Sequence, residues 1–211
     1  MKSLSFQWLS RFFCLFGLIL LPLTGSAQTL LIYGDSLSAG FGLQQQEEWP
    51  YLLQQKLSAQ GYDYQVINAS ISGETTAGGL ARLPAVLEKY QPQLVVLELG
   101  ANDGLRGQSL QQMYDNLAAI IRQCQARDAR VILAGIHIPP NYGSRYSQAF
   151  YHRFVELQAT FNIPLIPFLL DGIATDSGLM QADGLHPTAK AQHIIVETVW
   201  KTLQPLLQHR Q

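Results

Sequence analysis

The chain has 211 residues, a length that favours one domain, and hydrophobic residues make up 47% of it. That content excludes a disordered chain and supplies a substantial core. The formal net charge is −1 and no long Lys/Arg run occurs, which excludes a nucleic-acid partner that would need a basic footprint.

The first 27 residues read as an export signal. Lys2 and Arg11 are followed by ten apolar residues, Phe12 to Leu21, and then by Pro22 and the small residues Gly25-Ser26-Ala27. A membrane anchor is the competing reading. Ten residues rise only about 15 Å as a helix, well short of a hydrocarbon core of about 30 Å. Cleavage after Ala27 is expected, with a periplasmic or secreted product and no stable membrane span. Losing Lys2 and Arg11 moves the formal charge from −1 to −3 and leaves Cys124 as the one cysteine. An exported chain with one cysteine has no intrachain disulfide, so its core must hold it together.

From residue 28 onward, strand-like and helix-like segments alternate. Leu30–Tyr33 is a continuous apolar run suited to a strand buried on both faces, and it leads into Gly34-Asp35-Ser36. A helix follows near Glu47–Ala59, with Pro50 in its first turn and Gly61 past its end. Tyr64–Ala69 is the second strand, Leu80–Tyr90 the next helix and Leu94–Leu99 the third strand. Ser109 is a helix N-cap, and Leu110, Met113, Leu117, Ile120, Ile121 and Cys124 follow at helical spacing. Cys124 therefore reads as an inert core thiol. Val131–Ile136 is the fourth strand, Tyr146–Thr160 a helix, Pro164–Leu169 a short fifth strand and Thr188–Leu207 the last helix. Ile194, Ile195, Val199, Leu203 and Leu206 form the apolar face of that helix. This alternation predicts a three-layer α/β/α sandwich over residues 28–211. Its five-stranded parallel sheet takes the flavodoxin-like order 2-1-3-4-5.

A parallel sheet opens the loops after all its strands onto one edge. Those loops carry Ser36, Gly73, Asn102, the segment Ile138–Tyr146, and Asp183 with His186. A serine nucleophile needs a base. His209 lies at the chain end, and His152 and His193 lie within helices. His137 closes the fourth strand and competes with His186. The spacing Asp183-x-x-His186 lets a carboxylate bond Nδ1 and leave Nε2 free to accept. The same spacing also suits a capping aspartate beside a surface histidine. Gly73 and Asn102 each read alone as turn residues. Together on one rim with Ser36 and His186, they read as oxyanion donors, with the Ser36 N–H as a third.

Four blocks now stand in order: Gly34-Asp35-Ser36-Leu37, Gly73, Gly100-Ala101-Asn102-Asp103, and Asp183-Gly184-Leu185-His186-Pro187. In these the chain resembles the GDSL/SGNH hydrolases, essentially from residue 28 to its end. Asn141-Tyr142-Gly143-Ser144-Arg145-Tyr146 and Leu203-Gln204-Pro205-Leu206 resemble one branch, the exported bacterial acyl-CoA thioesterase I, lysophospholipase and arylesterase enzymes. The resemblance implies Ser36 as nucleophile, His186 as general base and then acid, and Asp183 as its orienting carboxylate. It implies an oxyanion hole made of the Ser36 and Gly73 N–H groups and the Asn102 side chain. Asp35 and Asp103 then hold their turns.

The implied activity is hydrolysis of carboxylic esters, and of thioesters, through an acyl-enzyme on Ser36. The substrate is a small acyl ester or lipid, and no cofactor is called for. The loop Ile138–Tyr146 is expected to line an acyl channel through Ile138, Pro139 and Tyr142, and either to move or to act as a stiff connector. Within enzymes the alternative is a carbohydrate O-acetyl esterase. Outside them stand a phosphoacceptor module using Asp103 and a non-catalytic binding protein. Asp183 and His186 lack a clear third ligand, so no metal is expected. Without a heptad or an apolar surface stripe, a monomer is expected.

Overall fold

The computed structural model describes residues 27–208. Residues 1–26 of the expected export signal and His209 lie outside the described residues. Five parallel strands, β1 Gln28–Gly34, β2 Tyr64–Asn68, β3 Leu94–Glu98, β4 Arg130–Ala134 and β5 Leu165–Ile166, form one sheet in the order β2-β1-β3-β4-β5. This is the α/β architecture and strand order the sequence predicts.

Strand periodicity sends alternate residues to opposite faces, and both faces are covered. Leu30, Ile32, Leu94 and Val96 pack with α1 (Trp49–Ala59) and α6 (Gln192–Leu203). Leu31, Tyr33, Val95 and Leu97 pack with α2 (Thr76–Tyr90), α4 (Leu110–Gln125) and α5 (Ser144–Phe161). Phe150 and Phe154 of α5 are fully buried. Truncating either would cost about 3–5 kcal/mol.

Four elements depart from expectation for local reasons. α2 begins at Thr76, four residues before Leu80, because Thr75 Oγ1 accepts from the Gly78 N–H at 3.2 Å. Gly79 weakens the helical signal but is required by packing: a Cβ there would lie 2.5 Å from Leu99 Cδ1. β5 has two residues, since Pro167 has no N–H to extend the ladder. The segment Gly100–Gly104 is not a turn but contains most of a short helix, α3 (Ala101–Leu105), entered through Gly100 at φ +123°. Finally, α6 buries Ile195, Val199 and Leu203 as expected, but Ile194 is 36% exposed and Val196 and Trp200 are buried in its place. Among the described residues, no helix is long and apolar enough to cross a membrane.

Candidate active site

β1 delivers the first group. Beyond Gly34, the Asp35 carboxylate accepts from the Leu37 N–H at 3.0 Å, and the Asp35 carbonyl accepts from the Ala39 N–H at 2.8 Å. The turn so formed presents Ser36 to a cavity while Asp35 and Ser38 stay fully buried. Beneath it lies Glu98, the last residue of β3. Its Oε2 accepts from Ser38 Oγ at 2.8 Å and from the Asp35 N–H at 3.2 Å. The fit leaves no room at Gly34, where a Cβ would sit 2.5 Å from Glu98 Oε2 and 2.9 Å from the Glu98 carbonyl oxygen. Burial first, and the nearby Asp35 second, push the Glu98 carboxyl well above the usual carboxylate range. Asp35 is itself pushed up to about 6, mainly by burial, against hydrogen bonds from Leu37 and Asn102.

The loop before α6 brings the second group. His186 Nε2 lies 2.8 Å from Ser36 Oγ, and His186 Nδ1 lies 2.7 Å from Asp183 Oδ2. Asp183 Oδ1 accepts from the Leu185 and His186 N–H groups at 2.9 and 3.0 Å, which closes the turn. The hydrogen bond from His186 is the largest of the effects that hold the Asp183 carboxyl down at about 2. A carboxylate can only accept, so the proton of the neutral ring sits on Nδ1. Nε2 is then the acceptor, and Ser36 Oγ–H donates to it.

Two further loops supply donors. Gly73 follows β2 with φ +79°, a left-handed conformation that favours glycine. Asn102 stands on α3, and its Nδ2 donates to Asp35 Oδ2 at 3.1 Å. Arg106, just past α3, donates through Nη2 to the Gly73 carbonyl at 3.1 Å and approaches Asn102 Oδ1 at 3.4 Å, tying the two loops together. Asp103 does not hold its own turn. Its carboxylate accepts from the Thr76 N–H at 2.9 Å and from Thr76 Oγ1 at 2.6 Å, pinning α3 to the start of α2. Among the described residues, no acceptor engages the Ser36 or Gly73 N–H, and both residues line the cavity.

That cavity holds about 680 Å³, and Ser36, Gly73, Asn102 and His186 all reach it. Ile138 and Pro139 line it, as do Phe168, Leu169, Leu170 and Met180. Tyr142 does not. Its hydroxyl donates to the Leu105 carbonyl at 3.0 Å, and Tyr146 Oη donates to the Gly104 carbonyl at 3.1 Å. The loop is thereby stitched to the helix that carries Asn102. His137 lines the cavity but stacks on Tyr151, with 4.1 Å between centroids, and makes no hydrogen bond to Ser36. His152 sits beside Glu156 on the exposed side of α5. Among the described residues, no group of three or more His, Cys, Asp or Glu could hold a metal.

Sequence reasoning passed over Glu98, Phe41, Gln181 and Arg106. Only Glu98 leaves a trace in the sequence, as one acid closing a strand that is otherwise wholly apolar. The Phe41 ring packs tilted against His186, and Gln181 Nε2 donates to the Phe41 and Pro187 carbonyls at 2.8 and 3.0 Å.

The profile of the GDSL-like lipase/acylhydrolase family matches residues 32–194. Esterase TesA of Pseudomonas aeruginosa is 52% identical over 191 residues, covering 90% of this chain and 95% of that protein. Thioesterase 1/protease 1/lysophospholipase L1 of Escherichia coli strain K12 is 43% identical over 204 residues, covering 97% of this chain and 96% of that protein. The solved structure of the psychrotrophic esterase EstA from Pseudoalteromonas sp., inhibited by monoethylphosphonate, superposes with a TM-score of 0.82 at 48% identity. It covers 85% of this chain and 98% of that one. The profile spans most of the sequence and the relatives match nearly end to end: the chain belongs to the GDSL-like lipase/acylhydrolase family, and it is an ester hydrolase.

Proposed function

We propose that Ser36 is the nucleophile, His186 the general base and then acid, and Asp183 the carboxylate that orients the imidazole. The carrying observation is the relay from Ser36 Oγ to His186 Nε2 at 2.8 Å and from His186 Nδ1 to Asp183 Oδ2 at 2.7 Å. Ser36 Oγ bonds to the acyl carbon as its proton passes to Nε2. The N–H groups of Ser36 and Gly73 and the Asn102 amide face the oxyanion. The intermediate collapses, the bond from carbon to the leaving oxygen or sulfur breaks, and Nε2–H gives its proton to that atom. Water repeats the sequence on the acyl-enzyme and releases the acid. Monoethylphosphonate inhibits the relative EstA, and a tetrahedral phosphorus has the geometry of this intermediate.

The substrates are esters and thioesters with apolar acyl groups. The apolar walls from Phe168, Leu169, Leu170 and Met180 suit an alkyl chain better than a sugar, which ranks a carbohydrate O-acetyl esterase second. Acetate release from an acetylated sugar, with no action on longer acyl esters, would reverse that ranking. A phosphoacceptor role fits poorly, because Asp103 is 2% exposed and bonded to Thr76. The enzyme works as a monomer outside the cytoplasm after losing residues 1–27. N-terminal sequencing of the periplasmic protein should begin at Gln28.

Ser36→Ala should abolish turnover of p-nitrophenyl butyrate and labelling by a fluorophosphonate, with the fold retained by circular dichroism. Turnover at the wild-type level in that variant would end the acyl-enzyme reading.

A further inference from the structure

We propose that Asp35 is a positioning residue that fixes which end of the Asn102 carboxamide faces the oxyanion site. The proposal rests on the acyl-enzyme reading above, which Ser36→Ala tests separately. A side-chain amide has two nearly isosteric ends, one a donor and one an acceptor, and only the nitrogen end stabilises an oxyanion. Turned by 180°, the same side chain would set a carbonyl oxygen against developing negative charge. Something must therefore select the orientation.

Asp35 Oδ2 makes that selection at the nitrogen end, while the Arg106 guanidinium approaches the oxygen end at a longer 3.4 Å. It lies 3.1 Å from Asn102 Nδ2, and an ionised carboxylate accepts but cannot donate. One Nδ2–H is committed to Asp35, and the other is left for the cavity that Asn102 lines. Asp35 cannot turn away, because it is fully buried and its Oδ1 is held by the Leu37 N–H at 3.0 Å. The charged and titratable groups around Asp35 are Glu98, His186 and Asp103. Glu98 is the near neighbour, and its Oε1 has no partner among the described residues. Burial first and Asp35 second push Glu98 towards its neutral form, which favours keeping the negative charge on Asp35, beside the amide that needs it.

Asp35→Asn supplies the test. The Leu37 N–H claims the oxygen of the new amide, so its nitrogen faces Asn102 Nδ2, donor against donor. Asn102 then turns over and presents Oδ1 to the oxyanion. Asn102→Ala should lower kcat by about 10²–10³. Asp35→Asn should lower kcat at least as far, with little change in KM. The double variant should return to the level of Asn102→Ala alone, so that the second substitution costs nothing further. A near wild-type kcat in Asp35→Asn, or losses that multiply in the double variant, would overturn the proposal.

Should Asp35→Asn fail to fold, the wild-type enzyme still decides. The side-chain ¹⁵N–¹H pair of Asn102 is assigned by its disappearance in Asn102→Ala. One of its protons should lie downfield and follow the ionisation of Asp35 near pH 6. A pair that resembles those of exposed carboxamides and does not titrate would refute the assignment.

Discussion

The Phe41 ring lies tilted over the His186 imidazole, with 4.3 Å between centroids and 32° between planes. Gln181 holds it there by bonding the Phe41 and Pro187 carbonyls at once, which clamps the loop after Ser36 onto the loop that carries His186. Phe41 is nonetheless 47% exposed, which leaves part of it open to a ligand. In the proposed mechanism His186 protonates the leaving atom, which puts the leaving group beside His186 and within reach of this ring. Phe41→Ala should therefore lower kcat/KM for aryl esters about two- to tenfold relative to alkyl esters of the same acid. Steady-state rates on p-nitrophenyl and ethyl butyrate measure this. Equal losses on both would confine Phe41 to steadying His186.

The two acids under the Ser36 turn set a pH dependence of stability. Asp35 and Glu98 bind protons more tightly in the folded chain than in the unfolded one. Their contribution is complete below about pH 4 and is lost as pH rises through the folded values. For Asp35 that window runs from about 4 to about 6, and for Glu98 it opens upward from the ordinary carboxylate range. Asp183 has the opposite sign, its contribution being lost as pH falls towards about 2. It is therefore constant above pH 5. The urea midpoint of the wild-type protein should fall between pH 5 and pH 8, and that of Glu98→Gln should fall less. Identical declines in the two proteins would assign the loss to other groups.

Ile138 meets both the cavity and the stitched loop. It is 5% exposed, and a Cβ added at Gly104 of α3 would lie 3.0 Å from its Cγ2. Removing its three outer carbons should open room at the wall. Ile138→Ala should shift preference towards longer acyl chains, by about fourfold for each additional methylene that becomes buried. A series of p-nitrophenyl esters of rising chain length measures the shift. An unchanged profile would remove Ile138 from the acyl wall.

Much of this arrangement was legible because its signals are local or topological. Continuous apolar runs marked β1 and β3, and a parallel sheet then forced Ser36, Gly73, Asn102 and His186 to one edge. The unread parts depend on partners far along the chain. Glu98 takes its meaning from Ser38 and Asp35, 60 and 63 residues earlier. Tyr142 sits on the active rim as its position implies, but the Leu105 carbonyl decides where its hydroxyl goes. The helix α3 was hidden by Gly100 and Gly104, residues that signal a turn unless the flanking fold fixes them. Gly104 is fixed by close packing, since a Cβ there would lie 2.5 Å from a carbon of the Phe150 ring. The sequence marked Asp35 as a turn holder. The bond to Asn102 became visible only when β1 and α3 were set side by side.

Cys124 is fully buried on α4, and desolvation pushes its thiol up to about 12. It therefore stays protonated and out of reach of oxidants at any ordinary pH. Among the described residues it is the only cysteine, so no cross-link has to form before the core closes. The order of the site is written entirely in packing and hydrogen bonds, and its assembly is indifferent to the redox state of the surroundings. The enzyme should reach the same active structure in glutathione-reduced and in air-oxidised buffer, a freedom that disulfide-dependent hydrolases lack.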